Sequence, residues 1–208
     1  MRLLMIDDHV LFLQGLKTLL GELAPELSID LAETSTQALH LAASTTYHLV
    51  LMDWHLEGGD ARDCIARLRD IGCAARVVVL SGETRPALIR EAIEVGAAGF
   101  VPKKYNSDLM LAALSVVIQG GIYLPPEALR EAPPALSDLA GRMAQLTSRQ
   151  QDVYRAAARG LPNKLIAREL GIAESTVKTH LTAVYAVLGV TNRTQAAYQA
   201  SREGVHVG

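Results

Sequence analysis

Leu3-Leu4-Met5-Ile6-Asp7-Asp8-His9 lies near the start of the chain and decides how the rest is read. A short apolar run cut off by two carboxylates is the pattern of a strand buried on both faces whose end emerges into a polar site. Working outward, Leu11, Phe12, Leu16, Leu19, Leu20 and Leu23 recur at helical spacing and predict a helix over Leu11–Leu23. Ser28–Ala32 follows as a strand, about Thr36–Ala43 as a helix, and His48–Met52 as a third strand that runs into Asp53. The alternation continues with a helix from Asp60 to Asp70, the valine-rich strand Arg76–Leu80, and a helix over about Pro86–Val95. Ala98–Val101 is the fifth strand and Ser107–Gln119 the helix after it. Five strand–helix units in succession predict an α/β fold, a five-stranded doubly wound parallel sheet of the flavodoxin-like kind, covered by helices on both faces.

The whole chain is 208 residues, enough for one large domain or two modest ones. Half of it is hydrophobic and 20% charged, which excludes a disordered chain. Cys64 and Cys73 cannot build a disulfide scaffold and match no zinc spacing. The first apolar run meets charge too soon for a signal peptide or a membrane span, so a cytoplasmic protein without a membrane partner is expected. The net charge of −2 conceals an asymmetry: residues 1–146 carry 12 basic and 18 acidic side chains, residues 147–208 carry 8 and 4. Only the back half is a credible binder of polyanions.

The segment Leu124–Ala144 breaks the alternation with Pro125, Pro126, Pro133 and Pro134, and reads as a linker containing at most a short helix. Four helical periods follow: Ser148–Ala158, Lys164–Leu170, Glu174–Leu188 and Arg193–Arg202, with Gly160, Gly171 and Gly189 as C-terminal stops. The expected organisation is residues 1–122, a linker over 123–144, and a small all-α four-helix helix-turn-helix domain over 145–208.

In a doubly wound sheet the site lies beyond the carboxyl ends of the strands. Asp7, Asp8, Asp53, Ser81 and Lys103 all fall there. Crowded carboxylates repel unless a cation neutralises them, and a hard divalent ion such as Mg²⁺ suits an all-oxygen donor set. Asp53 is then placed to attack a phosphoryl donor and form an acyl phosphate. Lys103 supplies a cation beside the new charge, and the Ser81 hydroxyl a donor to a phosphoryl oxygen. A lone Asp-Asp pair at a strand end reads equally well as solvated loop; its conjunction with Asp53, Ser81-Gly82 and Lys103 on three other strands does not. His9 reads as a hydrogen-bonding residue near the pocket, Trp54 as a partly exposed loop aromatic, and the two cysteines as simple thiols.

These residues resemble the response-regulator receiver domain of two-component signalling, the CheY-like fold. The matching motifs are Ile6-Asp7-Asp8-His9, Met52-Asp53, Ser81-Gly82 and Ala97-Ala98-Gly99-Phe100-Val101-Pro102-Lys103, and the likeness spans about residues 1–122. The resemblance implies that Asp53 is the phosphoacceptor, that Asp7 and Asp8 hold magnesium with Asp53 and the His55 backbone carbonyl, and that Phe100 is an aromatic switch. Ser81 would sense the phosphoryl group and Lys103 pair with it. Ser81 moving toward that group would vacate space for Phe100 to turn inward. Members usually carry proline four residues after the phosphoacceptor; this chain has Glu57, followed by Gly58-Gly59, which loosens the loop and predicts altered phosphorylation kinetics.

In the back half, Thr147 and Gln150 form a capping-box pair, and Asn163 is expected to cap the second helix. Val177, Leu181, Val184 and Leu188 lie on one face of the third helix, with Lys178, Thr179 and Thr182 on the other. Leu146-Thr147-Ser148-Arg149, Asn163-Lys164-Leu165-Ile166-Ala167, Thr176-Val177-Lys178-Thr179-His180 and Leu188-Gly189-Val190 with Asn192-Arg193-Thr194 resemble the output domain of LuxR/NarL-type regulators. By that likeness Lys178 and Thr179 reach groove edges, Thr176 and His180 lie nearer the phosphates, and Lys164 and Asn192 are further backbone contacts. Ala173 at a position often held by a capping serine, together with Thr182 and Val187 where basic residues are frequent, predicts modest DNA affinity that depends on dimerisation.

The expected function is therefore a DNA-binding transcriptional response regulator, not an enzyme beyond its own phosphorylation and dephosphorylation. Its implied partners are a cognate histidine kinase, double-stranded promoter DNA bound as a homodimer, and RNA polymerase. A phosphorylation-independent DNA binder is the nearest alternative. A hydrolase would need an Asp-x-Asp nucleophile motif and a substrate cap, and a pure adaptor would leave the helix-turn-helix pattern unexplained.

Overall fold

The computed structural model describes residues 1–56, 59–129 and 139–202. Five parallel strands, β1 (Arg2–Ile6), β2 (Ser28–Ala32), β3 (Leu49–Asp53), β4 (Arg76–Ser81) and β5 (Gly99–Pro102), form one sheet in the order β2-β1-β3-β4-β5. The connecting helices are α1 (Val10–Leu23), α2 (Ser35–Ser44), α3 (Ala61–Asp70), α4 (Pro86–Glu94) and α5 (Ser107–Ile118). The expected doubly wound sheet is present, with each boundary displaced by at most a residue or two.

The alternation of side chains along each strand builds two cores. Leu4, Ile6, Val50, Met52, Val77 and Val79 meet Ile65, Leu68, Ile89 and Ile93 of α3 and α4 on one face. Leu3, Met5, Leu49, Leu51, Val78 and Leu80 meet Leu13, Leu16, Leu20 and Leu114 of α1 and α5 on the other. Both faces are apolar because both are covered, so the strands read as near-continuous hydrophobic runs.

The register fixes the site. Ile6 pairs with Met52, Asp53 with Leu80, and Ser81 with Pro102, so the residues that end β1, β3, β4 and β5 share one edge. Asp60 caps α3 by accepting from the Arg62 backbone N–H. Trp54, expected to be partly exposed, is buried at 6% and belongs to the core. The Arg62 guanidinium lies 5.7 Å from its ring centroid, a cation–π contact that a solvated loop would not hold. Glu57 and Gly58 lie outside the described residues, as do Pro133 and Pro134.

Pro126 opens a 3₁₀ turn, Pro126–Leu129, where its fixed φ and missing N–H cost nothing. Beyond it come α6 (Leu139–Ala144), α7 (Ser148–Ala158), α8 (Asn163–Leu170), α9 (Glu174–Leu188) and α10 (Arg193–Arg202). The Arg142 guanidinium of α6 donates to the Leu188 carbonyl at 2.8 Å, tying that helix to α9. The Thr147–Gln150 capping box is formed in full, and Gly171 (φ +65°) and Gly189 (φ +69°) close α8 and α9 in the left-handed conformation. Asn163 is not the cap of α8: Pro162 occupies that position, and the Asn163 side chain accepts from Arg193 at 3.3 Å instead. The proline ring already sets the entry angle, which shifts the asparagine to the first helical turn.

The two parts of the chain are docked. Gln195 Nε2 of α10 donates to the carbonyls of Ile93 (3.3 Å) and Glu94 (3.2 Å) at the end of α4. Tyr198, one helical turn on, is buried in the core that includes Ile89, Ile93 and Ala128.

Candidate functional site

Asp7, Asp53 and Ser81 are all buried, at 1%, 3% and 0% exposure. Lys103 Nζ bridges the two carboxylates, 2.7 Å from Asp7 Oδ2 and 2.9 Å from Asp53 Oδ2. Burial pushes the Asp53 carboxyl above the ordinary carboxylate range. The Lys103 hydrogen bond and charge oppose that shift, Asp7 reinforces it, and a hydrogen bond from the His55 backbone N–H opposes it. The Lys103 ammonium also rests 4.9 Å from the centre of the Phe12 ring, which restricts where it can go. An open cavity of about 310 Å³ lies over Asp53, lined by His9, Phe12, Asp53, His55, Gly82 and Lys103.

Ligand atoms of Asp7, Asp8, His9 and Asp53 fall within 4.8 Å of one another, a cluster able to hold a metal ion. His9 touches both neighbours: its Nδ1 is 3.1 Å from Asp7 Oδ1 and 2.8 Å from Asp8 Oδ1, and its backbone N–H donates to Asp7 Oδ1 at 3.0 Å. Its hydrogen bond with Asp7, followed by the Asp8 charge, raises the imidazole above its usual pKa. Sequence reasoning gave His9 a hydrogen-bonding place near the pocket but not this double contact. The His55 side chain lies 3.8 Å from Glu83 and is mostly exposed.

The Ser81 hydroxyl accepts from the Glu83 backbone N–H at 3.1 Å, which holds the loop between β4 and α4. Phe100 is fully buried in the core beside α3 and α4. The phenyl ring has no hydroxyl to hold it at the surface, and burying it is worth about 1.5–3 kcal/mol. Lys104 is a residue the sequence reading missed. Its ammonium donates to Thr84 Oγ1 at 2.9 Å and lies 3.6 Å from Glu127 in the 3₁₀ turn that leads away from the sheet.

In the helical module Val177, Leu181, Val184 and Leu188 are buried, while Lys178, Thr179 and Thr182 are exposed. The Thr179 and Thr182 hydroxyls donate back to the Ser175 and Lys178 carbonyls, both at 3.1 Å, which leaves their lone pairs rather than their protons for a ligand. Ala173 precedes α9 without a side-chain cap, as expected. Lys164 is exposed at the start of α8, and Thr176 and His180 are half-buried. Asn192 is half-buried too, and its Oδ1 accepts from the Gln195 backbone N–H at 2.9 Å. The exposed side of α9 looks into a cleft against the sheet domain. Lys178 and Thr182 face Arg76, Ala98 and Gly120 across it.

A doubly wound domain with an acidic, lysine-bridged pocket, joined to a helix-turn-helix module, defines a phosphorylation-responsive DNA-binding regulator. Two family models match the chain: the response regulator receiver domain over residues 3–115, and the bacterial regulatory proteins of the luxR family over residues 144–200. The chain belongs to the NarL/LuxR family of response regulators, DNA-binding transcriptional regulators switched through their receiver domain. It is 32% identical to the nitrate/nitrite response regulator protein NarL of Escherichia coli K12, covering 98% of this chain and 96% of that one. It is 29% identical to the transcriptional regulatory protein YdfI of Bacillus subtilis, covering 98% and 97%. Among solved structures, a LuxR family DNA-binding response regulator from Silicibacter pomeroyi is 35% identical over 60% of this chain and 97% of its own, with a TM-score of 0.52. RcsB of Salmonella enterica serovar Typhimurium, solved on a promoter with a phosphomimetic, shares the fold at 21% identity and a TM-score of 0.55, covering 97% of this chain and 98% of its own. Among the described residues no helix is long and apolar enough to cross a membrane.

Proposed function

We propose that Asp53 accepts a phosphoryl group from a phosphohistidine of a partner kinase, and that this releases the helix-turn-helix module to bind promoter DNA as a dimer. The observation that carries the reading is Asp53 itself: a buried carboxylate at a strand end, 2.9 Å from Lys103 and open to a cavity on one side only. In the transfer, an Asp53 carboxylate oxygen forms the new bond to phosphorus as the P–N bond to the kinase imidazole breaks. Lys103 neutralises charge on the acceptor and then pairs with the phosphoryl oxygens. Ser81 turns its hydroxyl from the Glu83 N–H toward the same oxygens.

Asp7, Asp8 and Asp53 fit Mg²⁺: three hard oxygen donors within reach of one another, with Lys103 compensating only one of the three charges. A bound Mg²⁺ would supply charge neutralisation between the carboxylates and the incoming phosphoryl group, with the His55 carbonyl as a further donor.

The route to DNA runs through α4. Its first residue follows the loop that Ser81 and Thr84 hold, and its last carbonyls hold Gln195. Re-aiming Ser81 frees that loop, α4 shifts, and the contact to α10 weakens. The face carrying Lys178, Thr179 and Thr182 then leaves the cleft, where a DNA duplex has no room. Phe100, buried in the core beside α4, is the aromatic residue that would repack as Ser81 turns. Thr176, His180, Lys164 and Asn192 remain the candidates for phosphate contacts. We assign these roles to a phosphoacceptor unit over residues 1–122, a connection over 123–144 and a DNA-binding unit over 145–208. The setting is the cytoplasm, where kinase, promoter and RNA polymerase meet.

The test is selection of genomic fragments by the full chain in magnesium, with and without beryllofluoride. Enrichment only with the phosphoryl mimic is expected. Equal enrichment in both states would overturn the switch and leave a phosphorylation-independent DNA binder.

A further inference from the structure

The cleft between the sheet domain and the helix-turn-helix module has a volume of about 700 Å³, a size that suits a nucleotide. Its charge is one-sided. Arg76 comes from the start of β4, and Lys164, Lys178 and Arg193 come from the helical module, against one lining carboxylate, Glu174. Among the described residues no carboxylate oxygen lies within 4.0 Å of any of these four cations.

The two arginines are held by neutral acceptors. Arg76 donates to the carbonyls of Val117, at 3.1 Å, and Gly121. Arg193 donates to Asn163 Oδ1 and to the carbonyls of Ala157 and Leu161. Both are mostly shut off from solvent, and burial lowers the affinity of each for its proton. Burial pushes Arg193 down to about 10; the neighbouring Tyr185 opposes that shift and the charge of Arg76 adds to it. Both guanidinium groups line the same cleft, one from each side. Two lining residues also carry a buried donor without a partner, Asn192 Nδ2 and Arg193 Nε. Next to the cations the wall turns apolar at Leu181 and Tyr185.

Cations contributed by both sides, spare donors and an adjoining apolar wall are the recognition elements of a phosphate ester carrying a ring. We propose that this cleft binds a nucleoside polyphosphate, whose phosphates bridge Arg76 to Lys164 and Lys178 while its base lies against Leu181 and Tyr185. Bound there, the ligand stabilises the closed form and competes with DNA for the same lysines, giving the regulator a second input that opposes phosphorylation. Its effect follows from linkage: a ligand that binds only the closed form shifts the equilibrium toward it. The inference rests on the closed arrangement described under Proposed function.

The experiment is titration calorimetry of the unphosphorylated full chain in EDTA at fixed ionic strength, with adenosine diphosphate, inorganic pyrophosphate and adenosine as probes. Small-angle X-ray scattering of the same samples reports closure. One diphosphate nucleotide is expected to bind per chain. Pyrophosphate should bind at least 10-fold more weakly, and adenosine not detectably. Arg76→Gln and Lys164→Gln, one from each side, should each weaken nucleotide binding at least 10-fold. Lys164 is exposed, so its variant remains informative if Arg76→Gln fails to fold. A compact chain that takes up no nucleotide overturns the inference alone. So does nucleotide binding that neither variant weakens, or adenosine binding equal to that of the nucleotide. An extended chain in scattering overturns the closed reading itself and the inference with it. Pyrophosphate binding as tightly as the nucleotide would remove the base from the proposal and overturn the nucleotide assignment.

Discussion

Gln195 stands 101 positions from Glu94 in sequence, yet its side-chain amide donates to the Glu94 carbonyl at 3.2 Å, and to that of Ile93 at 3.3 Å. A residue of the DNA-binding module thus satisfies the Glu94 carbonyl at the C-terminal end of α4 and adds a second donor to the Ile93 carbonyl, which already accepts from the Gly96 backbone N–H at 2.9 Å. Because α4 starts next to the Ser81 loop, one short helix has the signalling pocket at one end and the docked module at the other.

Gln195→Ala removes both hydrogen bonds to α4, together with the two that its Oε1 accepts from the Thr191 backbone N–H and hydroxyl inside the module. At about 0.5–1.5 kcal/mol each, loss of the two to α4 should raise DNA binding by the unphosphorylated protein several-fold, and by up to about 100-fold if both act fully. Fluorescence anisotropy with a selected promoter fragment measures it. If phosphorylation releases the module as proposed, the beryllofluoride-activated affinity should change less than the basal one. An unchanged basal affinity would show that α4 does not hold the module.

Lys103→Met leaves Asp7 and Asp53 unbridged and takes away the cation that faces the transferred group. Phosphotransfer from a phosphodonor to Asp53 should slow by about 10²-fold, as when one preorganised donor is removed from an active site. Rapid-quench measurement of phosphorylated protein tests it, and circular dichroism verifies the fold.

Cys64 is fully buried, and burial pushes its thiol up to about 11 from 9.0. The native thiol therefore keeps its proton at pH 8, where the less buried Cys73 reacts. Iodoacetamide should label one thiol per native chain and two after unfolding. A folded pKa above the unfolded one means this thiol's contribution is fully present below pH 9 and is lost as the pH rises through about 11. Unfolding titrations of Cys64→Ala should lose that part of the alkaline decline.

Ala173→Ser restores an oxygen at the N-cap of α9, where the alanine makes no side-chain hydrogen bond. It should stabilise the module by roughly 0.5–2 kcal/mol. Tyr154→Phe should do the reverse, by about 1 kcal/mol, since the hydroxyl donates to the Ala196 carbonyl at 3.2 Å inside the module core. Urea unfolding of the full chain, followed by a probe in the helical module, reports both.

Most of the architecture was legible because local rules and the fold agree. Leu3–Ile6 and Arg76–Leu80 are continuous apolar runs because their strands are covered on both faces, and Thr147–Gln150 is a cap complete within four residues. Where the reading failed, a distant partner had intervened. Asn163 lost its capping role to the fixed φ of Pro162 and turned to Arg193, thirty positions away. Trp54 was drawn into the core and covered by Arg62.

By itself the sequence determined the five strand–helix units, the acidic residues at the strand ends and the two faces of the recognition helix, since each depends on periodicities of two or 3.6 residues and on motifs a few positions long. Only the tertiary structure decided that Lys103 bridges Asp7 and Asp53, and that α10 docks on α4 with Lys178 turned toward Arg76. Those contacts join segments tens to a hundred residues apart. They are set by sheet order and domain docking, which no local pattern encodes.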